Sequence, residues 1–300
     1  MNSFSIDRFG KALRWVVSIN RARLLGLSVG VTVAILLLEL ITAYIRDTPF
    51  DFLRNISGFI IVAISLMILV FVSSMFSNFT SIASKQQRSA FLTLPATNLE
   101  KFLAVVVYVT VICSVCAFVG IIIGDSLRMA CMGLVKGFDA SGNNSITVEG
   151  WTWYWWSSAI PQVLHELMPN ALQPDDSIYH YTLSYRVMNS VVYFVFLVWI
   201  HSLYTLGGTL LRKYPLVVSS IAFFLCMLLF MQFTMHFELT MFRSEWRDNA
   251  YVSQEVGTMA YVLVAVLPLL SCLNYWASFH IFKHFELISN KWTNYDLFKR

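Results

Sequence analysis

Six long apolar stretches, separated by short polar segments, constrain this chain more than any other feature. A helix needs roughly 20 apolar residues to cross the hydrocarbon core of a bilayer. The stretches Leu24–Tyr44, Ser57–Ser77, Phe102–Gly124, Val187–Gly207, Leu216–His236 and Gly257–Phe282 each meet that length. Only 13% of the residues are charged, about half the share usual in soluble domains. The sequence therefore predicts an all-α integral membrane protein with six transmembrane helices.

Charge sets the expected orientation, because loops on the cytoplasmic side hold the excess of Lys and Arg. Fourteen basic residues fall in the N-terminal segment, the loops between spans two and three and between four and five, and the tail. Seven fall on the other side, among them Arg46, Arg54, Arg128 and Arg186. Acidic Asp125, Asp139, Glu149, Glu166, Asp175 and Asp176 share one long segment between spans three and four. Both termini are thus expected in the cytoplasm. The first span is too long for a signal-peptide core, carries Glu39 and lacks a small-residue cleavage site before Arg46, so it reads as a retained helix.

Residues 1–23 form an amphipathic stretch. Ile6, Phe9, Leu13, Val16 and Val17 recur at helical spacing, opposite Asp7, Lys11, Arg14 and Ser18. Such a helix is expected to lie in the membrane interface, with Trp15 near the headgroups; packing against another subunit is the alternative. The segment 78–101 is the most specific part of the chain. Pro95 stops a helix arriving from span two and pushes Leu94 toward an extended backbone. Thr97-x-x-Glu100 reads as a capping box that starts a new helix leading into span three. Two short elements with a defined corner would make a rigid protrusion; an ordinary helix-turn-helix connector is the plainer reading.

These residues carry a family resemblance. The N-terminal amphipathic helix, the six spans and the inner loop Arg88…Phe91-Leu92-x-Leu94-Pro95-Ala96-x-x-x-Glu100-Lys101-Phe102 resemble permease subunits of type-2 ATP-binding-cassette exporters, closest to the permease-like members of Bacteroidetes. The resemblance implies an elbow helix at 1–23 and a six-helix domain at 24–300 in the inner membrane of a bacterium. It also implies that the loop holding Arg88, Phe91, Leu92, Leu94, Pro95, Thr97 and Glu100 docks a separate nucleotide-binding ATPase subunit, and that a second permease subunit completes the exporter. The chain departs from the pattern in one place: its long outer segment joins spans three and four, whereas the family's notable outer element lies between five and six.

That segment, 125–186, contains a run rich in Gly, Asn and Ser at 137–150, then Trp151-Thr152-Trp153-Tyr154-Trp155-Trp156. Trp151, Trp153, Trp155 and Trp156 suit a helix lying on the outer leaflet, since indole combines an apolar ring with a polar tip. A stacking platform for a sugar or aromatic ligand is the functional alternative. Pro161, Pro169 and Pro174 break the remainder into short pieces.

Enzyme signatures are lacking. Gly10-Lys11 has neither the upstream glycine nor the strand of a nucleotide-binding loop. Gly26-x-Ser28-x-Gly30 sits in a membrane span, where small residues permit close helix contact, and not on a strand-to-helix elbow. Cys113-x-x-Cys116 lies in an apolar helix and reads as packing. His280 and His284, one turn apart, have no third ligand. No catalytic, cofactor, metal or nucleic-acid role is expected. Glu39 is the one charged residue well inside a predicted span, at a cost of roughly 2.5–3.5 kcal/mol. It is expected either to face the bundle interior or to be a neutral or snorkelling carboxyl near the interface. A secondary transporter or channel, and a non-transporting scaffold or sensor, remain as further function classes.

Overall fold

The computed structural model describes residues 4–45, 48–75, 85–136, 145–148, 151–168, 183–211, 213–247 and 250–284. Six helical runs within it are long and apolar enough to cross a membrane, and the protein is an all-α membrane protein decorated by two short β-hairpins. The helices are α1 (Ile6–Ile45), α2 (Pro49–Ser73), α3 (Lys85–Leu92), α4 (Asn98–Val107), α5 (Cys113–Lys136), α6 (Ile160–Leu167), α7 (Leu183–Leu210), α8 (Pro215–His236) and α9 (Thr258–Lys283). Strands β1 (Ser145–Val148) and β2 (Trp151–Tyr154) pair antiparallel, as do β3 (Phe242–Arg247) and β4 (Ala250–Val256).

Three boundaries differ from the sequence expectation. The amphipathic stretch is helical, but no joint separates it from the first span: α1 runs unbroken for 40 residues, about 60 Å at 1.5 Å per residue. Arg21 and Arg23 do not stop it, because neither removes a backbone donor or strains the helix. Second, the third span does not end at Gly124. It continues to Lys136 through Met129, Ala130, Cys131, Met132, Leu134 and Val135, so 125–136 is helix and not loop. Third, Trp151–Tyr154 is a strand, not an interfacial helix. Its Thr and aromatic residues favour a pleated backbone, and the register sets Ile146 opposite Trp153 and Val148 opposite Trp151. Pro161 does not break the segment but sits in the first turn of α6, where its missing N–H costs nothing. Pro169 and Pro174 lie outside the described residues.

Between α4 and α5 the same helical run passes through one π turn, Tyr108–Ile112, closed by the Cys113 N–H donating to the Tyr108 carbonyl. The chain separates into two compact units. One comprises Leu13–Ile68 and Val107–Leu167. Its centre is the crossing of α1 and α5, which small residues allow to close. A Cβ on Gly120 would lie 2.6 Å from the Ser28 carbonyl oxygen, and one on Gly124 3.0 Å from that of Thr32. Ser28 donates to the Cys116 carbonyl at 2.9 Å and Thr32 to that of Gly120 at 3.0 Å. Gly26 and Gly30, by contrast, face open space; of that motif only Ser28 works in the contact.

The other unit comprises Met1–Ala12, Leu69–Val106 and Met168–Arg300. Its core lies where α7 meets α9: Val192 and Trp199 pack on Met259, Ala260, Leu263 and Leu267. A polar seam accompanies them. Asn274 donates to the Ser202 hydroxyl at 3.0 Å, and His201 Nδ1 pairs with the Tyr275 hydroxyl at 2.6 Å. Helix α8 exposes Ile221, Phe224, Leu225 and Leu229, the composition that contact with acyl chains requires.

Candidate functional site

Two polar constellations stand out, one in each unit, and both are built around a buried carboxylate. The first is the corner between α3 and α4. Helix α3 ends at Leu92, before Pro95, and α4 begins after Thr97. The capping box forms as its sequence predicts. The Thr97 N–H donates to Glu100 Oε2 at 2.7 Å, and the Glu100 N–H donates to Thr97 Oγ1 at 3.3 Å. What local sequence could not disclose is the third party. Arg8, on the first turn of α1, brings its Nε to 3.2 Å from Glu100 Oε2 and its Nη2 to 3.0 Å from Oε1. The Ser5 N–H adds a bond to Oε1 at 2.7 Å. One carboxylate with no solvent exposure therefore ties the start of α1 to the start of α4. Lys101 closes the other side, donating to the Leu92 carbonyl at 2.6 Å, which satisfies an end-of-helix acceptor of α3.

The aromatic residue of the loop turns inward. Phe91 is 1% exposed and meets Phe282 of α9 edge-on at 6.3 Å, and Phe102 packs against Phe282 at a tilt and against Phe279 edge-on. Phe91 therefore anchors the corner and offers no surface for the docking that the resemblance implies for it. Leu92 and Leu94 are half-buried, while Pro95 and Leu99 are exposed. Leu99, absent from the sequence-derived set, adds apolar surface. Arg88 lies on α3, with its side chain outside the described residues.

The second constellation surrounds Glu39. Its partner is Arg128, on the part of α5 that hydropathy had assigned to a loop. Arg128 Nε reaches Glu39 Oε2 at 3.2 Å, Nη2 reaches Asp125 Oδ1 at 2.6 Å, and all three side chains are 0–1% exposed. The guanidinium also donates to the Trp155 carbonyl at 2.7 Å and the Ser157 carbonyl at 2.6 Å, so four bonds leave it in its planar fork. Asp125 takes the Ser158 hydroxyl at 2.5 Å and the Ala159 N–H at 3.4 Å. The connection from β2 to α6 is thereby fastened to α5 by one ion pair. Phe52 of α2 packs beneath, 5.1 Å from the Arg128 carbon and 6.1 Å from the Trp155 ring. Ser57 completes the attachment by donating to Glu166 of α6 at 2.7 Å.

The tryptophans separate accordingly. Trp155 is 2% exposed and serves this packing; Trp156 is half-buried and stacks on Tyr154 with centroids 4.7 Å apart. The side chains of Trp151 and Trp153 lie outside the described residues. The spacing Asp125-x-x-Arg128, one helical turn, is the signal that could have revealed the pair had the helix been extended past Gly124.

Among the described residues no group of three or more His, Cys, Asp or Glu is placed to hold a metal ion. Comparison with known proteins returns no match, whether to a family model, to a curated protein or to a solved structure.

Proposed function

We propose that the chain is the membrane-spanning permease subunit of an ATP-binding-cassette exporter in a bacterial inner membrane, with both termini in the cytoplasm. One observation carries the reading. The corner at residues 85–101 is braced by Glu100 through Thr97, Ser5 and Arg8, and it presents Pro95 and Leu99 at its surface. A stiff corner transmits force where a loose loop would absorb it. Braced in this way it suits a docking surface for a separate ATPase, since the sequence holds no nucleotide-binding loop of its own. The basic residues flanking the corner support a cytoplasmic position for it under the positive-inside rule.

In this proposal ATP-driven closure of the partner pushes on the corner. The Arg8–Glu100 contact and the α4 helix carry the movement into spans one and three, and the spans alternate between inward- and outward-facing arrangements. A second permease subunit supplies the other half of the path. The test is co-purification in mild detergent from the native host. Leu94→Asp combined with Leu99→Asp puts two charges on the docking face, where burial without a counter-ion is costly. The wild type should retain a chain bearing a nucleotide-binding loop, and the double variant should lose it while remaining monodisperse. Retention by both proteins, or by neither, contradicts the proposal.

A further inference from the structure

Among the described residues the Glu39 cluster does not balance its charge. Two carboxylates, Glu39 and Asp125, share a single guanidinium, Arg128, and none of the three is more than 1% exposed. The two acids are also served unequally. Asp125 receives Arg128 Nη2, the Ser158 hydroxyl and the Ala159 N–H. Glu39 receives only Arg128 Nε, and only on Oε2; its Oε1 is buried and has no hydrogen-bond partner among the described residues. The other groups placed around the guanidinium are the Phe52 ring and the carbonyls of Trp155 and Ser157. Those carbonyls are acceptors and cannot relieve a negative charge. Among the described residues the charged groups acting on Glu39 are Asp125 and Arg128, both from α5. An uncompensated buried charge is among the most expensive arrangements a protein can hold, so such a site takes up a counter-charge.

We propose that Glu39 Oε1 is a binding site for one elementary positive charge, a proton or a monovalent metal ion, and that the cluster is occupied when the segment 155–159 is fastened to α5. The stoichiometry is fixed by the count of groups: one charge per chain, held by Glu39 and demanded by Asp125. A divalent ion is disfavoured beside the guanidinium, which already supplies one positive charge. The site is independent of any ATPase partner, because every group in it belongs to this chain.

The experiment uses the full-length protein in nanodiscs and separates the two sources. In the first arm, infrared spectra are recorded at neutral pH in Na⁺-free buffer, looking for a carboxylic-acid C=O band above the amide region. In the second, the unfolding midpoint is followed while Na⁺ replaces choline at constant pH and ionic strength. A proton gives an acid band in the wild type that Glu39→Gln removes. A metal ion gives no such band but a Na⁺-dependent rise in the midpoint that Glu39→Gln abolishes. Asp125→Asn is the decisive variant: it leaves Glu39 in place yet removes the surplus charge, so the acid band or the Na⁺ response should vanish there too. A wild type showing neither signal overturns the proposal without recourse to any variant. A signal that survives Asp125→Asn overturns it as well.

Discussion

Replacing Arg128 with Met probes the account where it is most exposed to error. Met nearly matches the volume of the Arg stem, so little cavity cost enters, and the effect isolates the guanidinium. Four hydrogen bonds are lost, to Glu39, Asp125, Trp155 and Ser157. Removing one partner of a buried ion pair costs about 3–5 kcal/mol, because the remaining charge stays buried. The two carbonyls left without a donor add on the order of 1–3 kcal/mol each where water cannot reach them. Even the lower bound of about 3 kcal/mol corresponds to more than a hundredfold shift in the folding equilibrium. Unfolding in SDS, followed by tryptophan fluorescence, measures that shift. Limited proteolysis should show the 155–168 segment cut first, since the ion pair fastens it. The triple variant Glu39→Gln, Asp125→Asn, Arg128→Met should recover much of the loss, as neutral replacement of a complete buried cluster often does. A single-variant cost below about 1 kcal/mol, or a triple variant as unstable as the single one, would refute the reasoning.

The crossing of α1 and α5 makes a sharper steric prediction. Gly120→Ala places a methyl 2.6 Å from the Ser28 carbonyl and should destabilise by about 1–3 kcal/mol through overpacking; Gly30→Ala, which meets nothing within 4 Å, should leave the SDS midpoint unchanged. Thr97→Ala removes half of the capping box and should cost about 1 kcal/mol, with hydrogen exchange accelerated at the amides of residues 98–101, whereas Thr97→Ser should restore protection. On a cysteine-free background, Gln86→Cys should resist an impermeant maleimide in intact cells while Leu164→Cys reacts; the reverse pattern would invert the proposed topology.

Much of the architecture could be read from the chain because lipid imposes a simple rule: a spanning segment must be apolar for about 20 residues. Each expected span overlaps one of the six long apolar helices, although α1 begins at Ile6 and α5 continues to Lys136. The capping box was legible for a similar reason, since Thr97 and Glu100 interact within four residues. Failures came where a local rule met a distant partner or a competing propensity. Hydropathy dropped at Asp125, so the helix seemed to end, but the Arg128 fork pairs with Asp125 and with Glu39, 89 residues away, and allows α5 to continue. Phe91 looked like a docking residue because it is apolar and lies in the loop that the resemblance assigns to docking; Phe282, from the last span, packs against it instead. The β1–β2 hairpin was obscured because aromatic residues suit both a membrane interface and a strand. The β3–β4 hairpin, in the connection between α8 and α9, had no comparable mark in the sequence.

The most direct measurement of the central claim is site-specific photocrosslinking in living cells. A photoreactive amino acid at Pro95, exposed on the braced corner, is compared with one at Val62, an exposed apolar position on α2, and the adducts are identified by mass spectrometry. A permease subunit predicts one dominant adduct from position 95, to a chain carrying a nucleotide-binding loop, and none to that chain from position 62. The absence of any nucleotide-binding chain among the adducts from position 95, with the protein expressed at its native level, would contradict it.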